Sequence, residues 1–339
     1  MAHAQPAAAR PWCFVTGASG FVGRHLLPRL GERYRLRCLL RRAVPLPQFA
    51  GVPFDTVLGD LNDAAALAAG VRGAAAVVHL GALVSYRPRD RAAMFRVNAE
   101  ASAALASAAR LAGVQRFLHV SSIAAIAYRD RPEVLDENAS YNFGPLRLGY
   151  HDSKHAAEQA VLAEVARGLD AVLVNPPSMY GAGDRRKGDG SLLTAVLEGR
   201  LPANPPGGLN VADVTAVVDG MLAALERGRT GERYVLGGEN LTGRELLARV
   251  AAVVGATPPR WTLPGWLCRA GAGLVAWHER CGRRDGPLSS ELLRLTPRFL
   301  WFRSSKAERE LGYRPGPVTP GIAAAWRELA AAADLSAPA

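Results

Sequence analysis

Short apolar and β-branched runs alternate with longer stretches of helical periodicity through the first half of the chain. The runs at residues 12–16, 35–40, 55–58, 75–80, 116–121 and 170–175 have strand length. Between them, apolar positions recur at three- and four-residue intervals near 21–30, 64–69, 91–112 and 149–167, which predicts helices. Strands alternating with helices imply βαβ units and a parallel sheet covered on both faces. Right-handed crossovers then make a doubly wound α/β fold the natural solution. Beyond about residue 175 the texture changes. Residues 176–210 are rich in Pro and Gly, with two helical turns' worth of apolar residues at 192–197. A strand is expected at 233–236, closed by Gly237 and Gly238, and helices at 243–254, 267–279 and 322–332. The pattern predicts a doubly wound domain over 11–178, rejoined by 211–238. A smaller, interwoven C-terminal domain takes 179–210 and 239–330, with tails at 1–10 and 331–339.

Between the first strand and the first helix stand Gly17, Ala18, Ser19, Gly20, Phe21, Val22 and Gly23. Glycines at three-residue intervals allow a tight turn, a close approach of backbone to a pyrophosphate, and close packing of helix on strand. Free N–H groups and the partial positive charge of the helix N-terminus favour the phosphates. A glycine triplet alone is weak evidence; placed between an apolar strand and an amphipathic helix, it marks a Rossmann dinucleotide site. NAD sites usually end the second strand on an acid that holds the adenosine ribose. Here that strand runs into Arg41 and Arg42 with no Asp or Glu nearby. A guanidinium holds a 2′-phosphate through charge-assisted, bidentate bonds. NADP(H) is therefore expected, through Arg41, with NAD(H) as the alternative if these are merely exposed arginines. After the third strand, Asp60, followed by Leu61, either accepts from the adenine amino group or caps a turn.

Tyr150 and Lys154 open the helix before the sixth strand, four residues apart and so on one face. A free phenol has a pKa of about 10, too high for a good base at neutral pH. A neighbouring ammonium favours the phenolate, which lets Tyr150 exchange a proton with an alcohol or carbonyl oxygen. Lysine is scarce in this chain, occurring only at 154, 187 and 306, so its placement one turn from a tyrosine carries weight. Ser122 follows the fifth strand at the carboxyl edge, where it would hydrogen-bond the substrate oxygen, or simply cap a turn.

Composition trims the remaining classes. Half of the 339 residues are apolar and a fifth charged, as in ordinary globular proteins. The net charge of +11 comes from arginine spread along the chain, with no dense basic block interleaved with aromatics, so no nucleic-acid partner is expected. Four cysteines without close spacing argue for reduced packing residues and no metal. No leader pattern is visible and the longest apolar stretch, 263–277, is too short to span a bilayer, so a cytoplasmic protein is expected. That stretch lines a hydrophobic pocket, packs between domains, or rests peripherally on the inner face of a membrane.

Taken together, the motifs TGASGFVG, GDL at 59–61, HLGA at 79–82, VNAE at 97–100, HVSS at 119–122, YHDSK at 150–154 and VNPPSMYGAGD at 174–184 are specific. With SSKAERELGYRP at 304–315, they identify a chain that resembles the extended short-chain dehydrogenases/reductases, the NAD(P)-dependent epimerase/dehydratase group, from residue 12 to about 330. The resemblance implies Ser122, Tyr150 and Lys154 as catalytic and Asn98 as support for a water relay to the lysine. It sets Leu80, Gly81 and Ala82 against the cofactor and Pro176 and Ser178 near the nicotinamide. Arg41 and the runs GGLNVADV at 207–214 and GERYVLGGENLT at 231–242 are similar to the dihydroflavonol-reductase-like and 3β-hydroxysteroid-dehydrogenase-like branch. Ala216, where many relatives carry Asp, and Ala182, where the usual run is Gly-Pro-Gly, depart from the pattern on the substrate side. The expected function is hydride transfer between NADP(H) and a secondary alcohol or ketone of an apolar, sterol- or hopanoid-like small molecule. The alternatives are a nucleotide-sugar epimerase or dehydratase holding NAD, with Arg185, Arg186 and Lys187 on the diphosphate, and a non-catalytic NADP-sensing protein. Members of this fold family commonly form homodimers.

Overall fold

The apolar runs of the first half condense into one sheet. The computed structural model describes residues 10–43, 51–184, 192–281 and 289–332. In chain order its first half comprises β1 (Trp12–Thr16), α1 (Phe21–Gly31), β2 (Arg35–Leu40), β3 (Phe54–Leu58), α2 (Ala64–Val71), β4 (Ala74–His79), α3 (Arg91–Met94), α4 (Ala101–Leu111), β5 (Arg116–Val120), β6 (Val134–Leu135), α5 (Gly149–Val165) and β7 (Ala171–Asn175). The second half adds β8 (Ser178–Tyr180), α6 (Leu192–Leu197), β9 (Gly208–Asp213), α7 (Val214–Arg227), β10 (Arg233–Val235), β11 (Glu239–Thr242), α8 (Gly243–Val254), α9 (Gly265–Arg280), α10 (Ser290–Leu295), β12 (Phe299–Phe302), α11 (Ser305–Leu311) and α12 (Thr319–Ala332).

Seven strands pair in the order β10-β7-β5-β4-β1-β2-β3, all parallel. The order reverses at β1, which lies between β2 and β4, so a crevice opens beyond the carboxyl ends of β1 and β4. On one face Leu26, Leu27 and Leu30 of α1 meet Val217, Met221 and Leu225 of α7. On the other, Leu67 of α2, Leu105 and Ala109 of α4 and Val161 of α5 cover the sheet. Burial on both faces explains why β1, β4 and β7 read as nearly unbroken apolar runs, and why β5 does so apart from Arg116 and His119. The second sheet centres on β9, with antiparallel β11 on one side and β12 then β8 on the other; β6 extends it beyond β12. A separate core of Leu246, Val250, Ile322 and Trp326 packs α8 and α12 over this sheet.

The chain passes between the two sheets seven times: from β5 to β6, β6 to α5, β7 to β8, β9 to α7, β10 to β11, β12 to α11, and α11 to α12. The helix expected over 91–112 is interrupted by a π-helical segment, Phe95–Glu100, between α3 and α4. Helix α7 and strand β9 are absent from the periodicity reading because nothing punctuates their junction. Asp213 ends the strand and caps the helix in one residue, accepting from the Thr215 amide at 2.7 Å. Arg10, placed with the N-terminal tail by its sequence, donates to the Gly31 carbonyl at 2.6 Å, while residues 1–9 and 333–339 lie outside the described residues. Cys13, Cys38 and Cys268 are buried and Cys281 is exposed, all four as free thiols. Among the described residues no helix is long and apolar enough to cross a membrane, and no group of acids, histidines and cysteines is placed to hold a metal.

Candidate active site

The glycine loop lies over the crevice in the way its spacing requires. Gly17 sits at φ +71°, and a Cβ there would stand 2.6 Å from the backbone nitrogen of Gly81. A Cβ on Gly23 would strike the Ala18 carbonyl, so α1 packs against its own loop through glycine alone. Gly20 caps α1 without a side-chain hydrogen bond, and no acid occupies the first turn. The N–H groups that open α1 are thus left to an anion. Next to this loop a cleft of about 460 Å³ is lined by Ser19, Leu40 and the exposed Arg41 and Arg42. The cradle fits the diphosphate of a dinucleotide, with Phe21 and Val22 half-buried at its back. Asp60 forms the turn: its carboxylate accepts from the Asn62 amide at 2.7 Å while the residue stays exposed. Leu61 lies directly beneath Gly81, where a Cβ would come within 2.7 Å of its Cδ1.

Lys154 is 2% exposed, and its ammonium donates to the Val120 carbonyl at 2.9 Å, which ties α5 to the end of β5. Burial pulls its pKa down to about 8, against the opposing pull of the Glu158 carboxylate one turn on. Glu158 is itself fully buried, accepts from Asn175 Nδ2 at 2.6 Å and pairs with Arg233 at 3.1 Å. The same Asn175 amide donates to the Ser122 carbonyl at 2.8 Å. Ser122 Oγ accepts from the Ala124 amide at 3.2 Å, so it caps a turn, and its hydroxyl proton remains to be donated elsewhere. Pro176 accepts from the Ile123 amide at 3.1 Å and brings the start of β8, at Ser178, beside this turn.

Asn98 occupies the π-helical segment and is 1% exposed. Its Oδ1 accepts from the Leu83 amide at 2.7 Å, and its Nδ2 donates to the Leu83 carbonyl and to Ser153 Oγ, both at 2.9 Å. Ser153 in turn donates to the Tyr150 carbonyl at 2.9 Å. One amide therefore clamps the loop carrying Leu80, Gly81 and Ala82 to the helix carrying Tyr150 and Lys154. The helix also meets the turn of Ser122 and the end of β5, which brings Ser122, Lys154 and, through Asn98, the loop of Leu80 to Ala82 to the carboxyl side of the sheet. Arg185, Arg186 and Lys187 lie outside the described residues.

Several participants escaped the sequence reading. Thr16 Oγ1 bonds His79 Nδ1 at 2.6 Å, His79 Nε2 bonds Ser102 Oγ at 2.8 Å, and Ser102 donates to the Asn98 carbonyl at 2.5 Å. This buried chain runs from the strand before the glycine loop to the π-helical turn. Beside it lies His119, fully buried, its ring 5.4 Å from that of His79 and neither nitrogen hydrogen-bonded. Burial holds both imidazoles neutral, and the Lys154 ammonium pushes the same way. The signal was present: His79 and His119 end neighbouring strands in register, in HLGA and HVSS. On the open side, the Tyr86 ring lies 6.4 Å from that of Tyr150, and a second cleft of about 460 Å³ is walled by Leu83, Val84, Tyr86, Arg87, Ser289 and Leu292.

Residues 13–237 match the model of the NAD dependent epimerase/dehydratase family. The chain belongs to that family. A Synechocystis sp. protein named for dihydroflavonol 4-reductase is 32% identical over 321 residues, covering 91% of this chain and 92% of that one. Sterol demethylase protein B of Methylococcus capsulatus is 30% identical, covering 92% of this chain and 97% of its own. The crystal structure of gox2253 superposes with a TM-score of 0.85 at 31% identity, covering 96% of this chain and all of that one. Membership makes the protein an NAD(P)-dependent oxidoreductase of the extended short-chain dehydrogenase/reductase type, as its motifs implied.

Proposed function

We propose that this family member uses NADP(H) to interconvert a secondary alcohol and a ketone on an apolar, polycyclic substrate of sterol- or hopanoid-like chemistry. The observation that carries the reading is the second cleft. Leu83, Val84, Tyr86 and Leu292 give it an apolar side beside the polar Ser85, Arg87, Asp90 and Ser289, and the Tyr86 ring lies 6.4 Å from that of Tyr150, so an apolar body on that side can bring its oxygen towards the phenol. The Methylococcus relative is named for sterol demethylation, which supports that substrate class. The cofactor preference rests on Arg41 and Arg42 facing Ser19 across the first cleft, with no carboxylate at the end of β2.

In this mechanism the nicotinamide, when bound, supplies or accepts the hydride. Ser122 donates its hydroxyl proton to the substrate oxygen and holds it over Tyr150. Tyr150 gives its phenolic proton to that oxygen as a carbonyl is reduced, and takes one back as an alcohol is oxidised. Lys154, with one donor on Val120, keeps two for ribose hydroxyls, and its positive charge favours the phenolate. Asn98 holds the helix and the loop at fixed spacing, so this geometry is set before substrate arrives.

Two measurements test the reading. Fluorescence titration should show tighter binding of NADPH than NADH, and Arg41→Asp should bring the ratio towards or below one. With a panel of hydrophobic ketones, Tyr150→Phe should lose about 10²- to 10⁴-fold in kcat while still binding NADPH. An unchanged cofactor ratio sinks the role of Arg41. Stoichiometric NAD released on denaturing the purified protein overturns the dissociating-cofactor reductase in favour of an epimerase or dehydratase.

A further inference from the structure

Six of the ten large apolar side chains exposed among the described residues fall within one short stretch: Trp261, Leu263, Trp266, Leu267, Leu274 and Trp277. Trp261 is 78% exposed, Leu274 68% and Trp266 61%, values foreign to an interdomain packing helix. In α9 only Cys268 and Ala272 are buried, one turn apart, on the face that meets α10. At 100° per residue, Trp266, Ala270, Gly273, Leu274 and Trp277 occupy the opposite face, turned to solvent. Packing between domains therefore accounts for one side of the helix and leaves the more apolar side uncovered.

The charges beside that face are of one sign. Arg269 and Arg280 run along its edge and Arg260 precedes it, all three exposed and none with a carboxylate partner among the described residues. Glu279, the only acid in α9, is occupied by Ser290, whose amide and hydroxyl donate to it at 3.0 and 2.6 Å. A two-fold contact with a second copy would bring the same arginines together without acids to meet them. An anionic bilayer satisfies both features at once, since tryptophan and leucine enter the headgroup boundary while arginine stays with the phosphates. From this geometry we infer that α9 and residues 261–263 dock the protein on the surface of an anionic lipid bilayer. The docking does not depend on which substrate the enzyme uses. It does place a membrane next to the substrate cleft, because α10, against which α9 packs, contributes Leu292 to the cleft wall.

The full chain should co-float with phosphatidylcholine vesicles containing phosphatidylglycerol, and at least about tenfold more weakly with phosphatidylcholine alone or at high salt. Bromine-labelled acyl chains should quench part of its tryptophan emission. Two variants divide the forces: Trp266→Ser with Leu274→Ser and Trp277→Ser, and Arg269→Glu with Arg280→Glu. Each should lower vesicle partitioning by about tenfold or more, with an unchanged NADPH-induced thermal shift reporting an intact fold. Absence of wild-type binding to anionic vesicles overturns the inference. So does a dimer in light scattering that the apolar variant converts to monomer while vesicle binding stays unaltered.

Discussion

Lys154 holds an ammonium where water cannot reach it, and the consequence is a proton poised near the working range. Its pKa is drawn from 10.5 to about 8 by burial, and Glu158 is what keeps it from falling further. Removing that carboxylate's charge should lower the lysine's pKa again. Glu158→Gln is expected to move the alkaline limb of the kcat/KM profile to lower pH, with NADPH affinity reduced less than turnover; rates measured across about pH 6 to 10 decide it. A limb that stays in place, with activity lost equally at every pH, would mean that Glu158 serves only packing. The sign for stability is separate: a lysine depressed on folding makes the native state gain stability as pH rises from about 8 towards 10.5. Sequence showed Lys154 because lysine is rare and a tyrosine stands one turn before it. Glu158 was equally visible on the same helix face, but its burial depends on Asn175 and Arg233, which arrive from two other strands.

At the scale of elements, the π-helical turn does work that an uninterrupted helix could not. Its wider turn carries Asn98 to both Leu83 and Ser153, at the price of one irregularity in a long helix. Asn98→Ala leaves the half-buried Leu83 amide and carbonyl without their side-chain partner. The expected loss is about 2–3 kcal/mol of stability in urea unfolding, together with a fall in kcat larger than the rise in KM. If KM alone changes, the clamp positions only the substrate loop. Periodicity located this helix but not its break, since α and π turns share the same apolar pattern over six residues. In the same way it found every strand of the cofactor sheet, with ends shifted by a residue, because all but the exposed edge strand β3 are largely buried and β3 keeps its apolar ends. It missed the half-exposed β8, β11 and β12, whose pairing is set by tertiary neighbours rather than by their own composition.

For the molecule as a whole, three buried imidazoles set the response to acid. His79 and His151 are lowered by burial from 6.5 to about 3, and His119 well below 6.5. The unfolded chain takes up these protons near pH 6.5 and the folded chain does not. Stability is therefore complete above that pH and falls as pH drops towards 3, by up to about 1.4 kcal/mol per pH unit for each histidine. His119 makes no hydrogen bond, so His119→Phe should cost little near neutrality and flatten the loss. Urea midpoints compared at about pH 7.5 and about pH 5 test this, and equal slopes in mutant and parent would remove His119 from the account. The histidines could be read in the sequence; their neutrality could not, because it follows from the sheet that buries His79 and His119 on both sides and from the rings of Tyr86 and Phe143 packed against His151 on α5.

The seven passages of the chain between the two sheets also decide how this scaffold can be recombined. A cofactor half and a substrate half cannot be exchanged between relatives as blocks, since every exchange would need seven matched junctions through packed cores. The stretch from the end of α8 to the start of β12 is the exception. It carries α9 and α10, which pack against each other, and contributes Ser289 and Leu292 to the cleft. Two cuts would transplant part of the substrate wall and the outward apolar face together, so that specificity and address would be inherited as a single module.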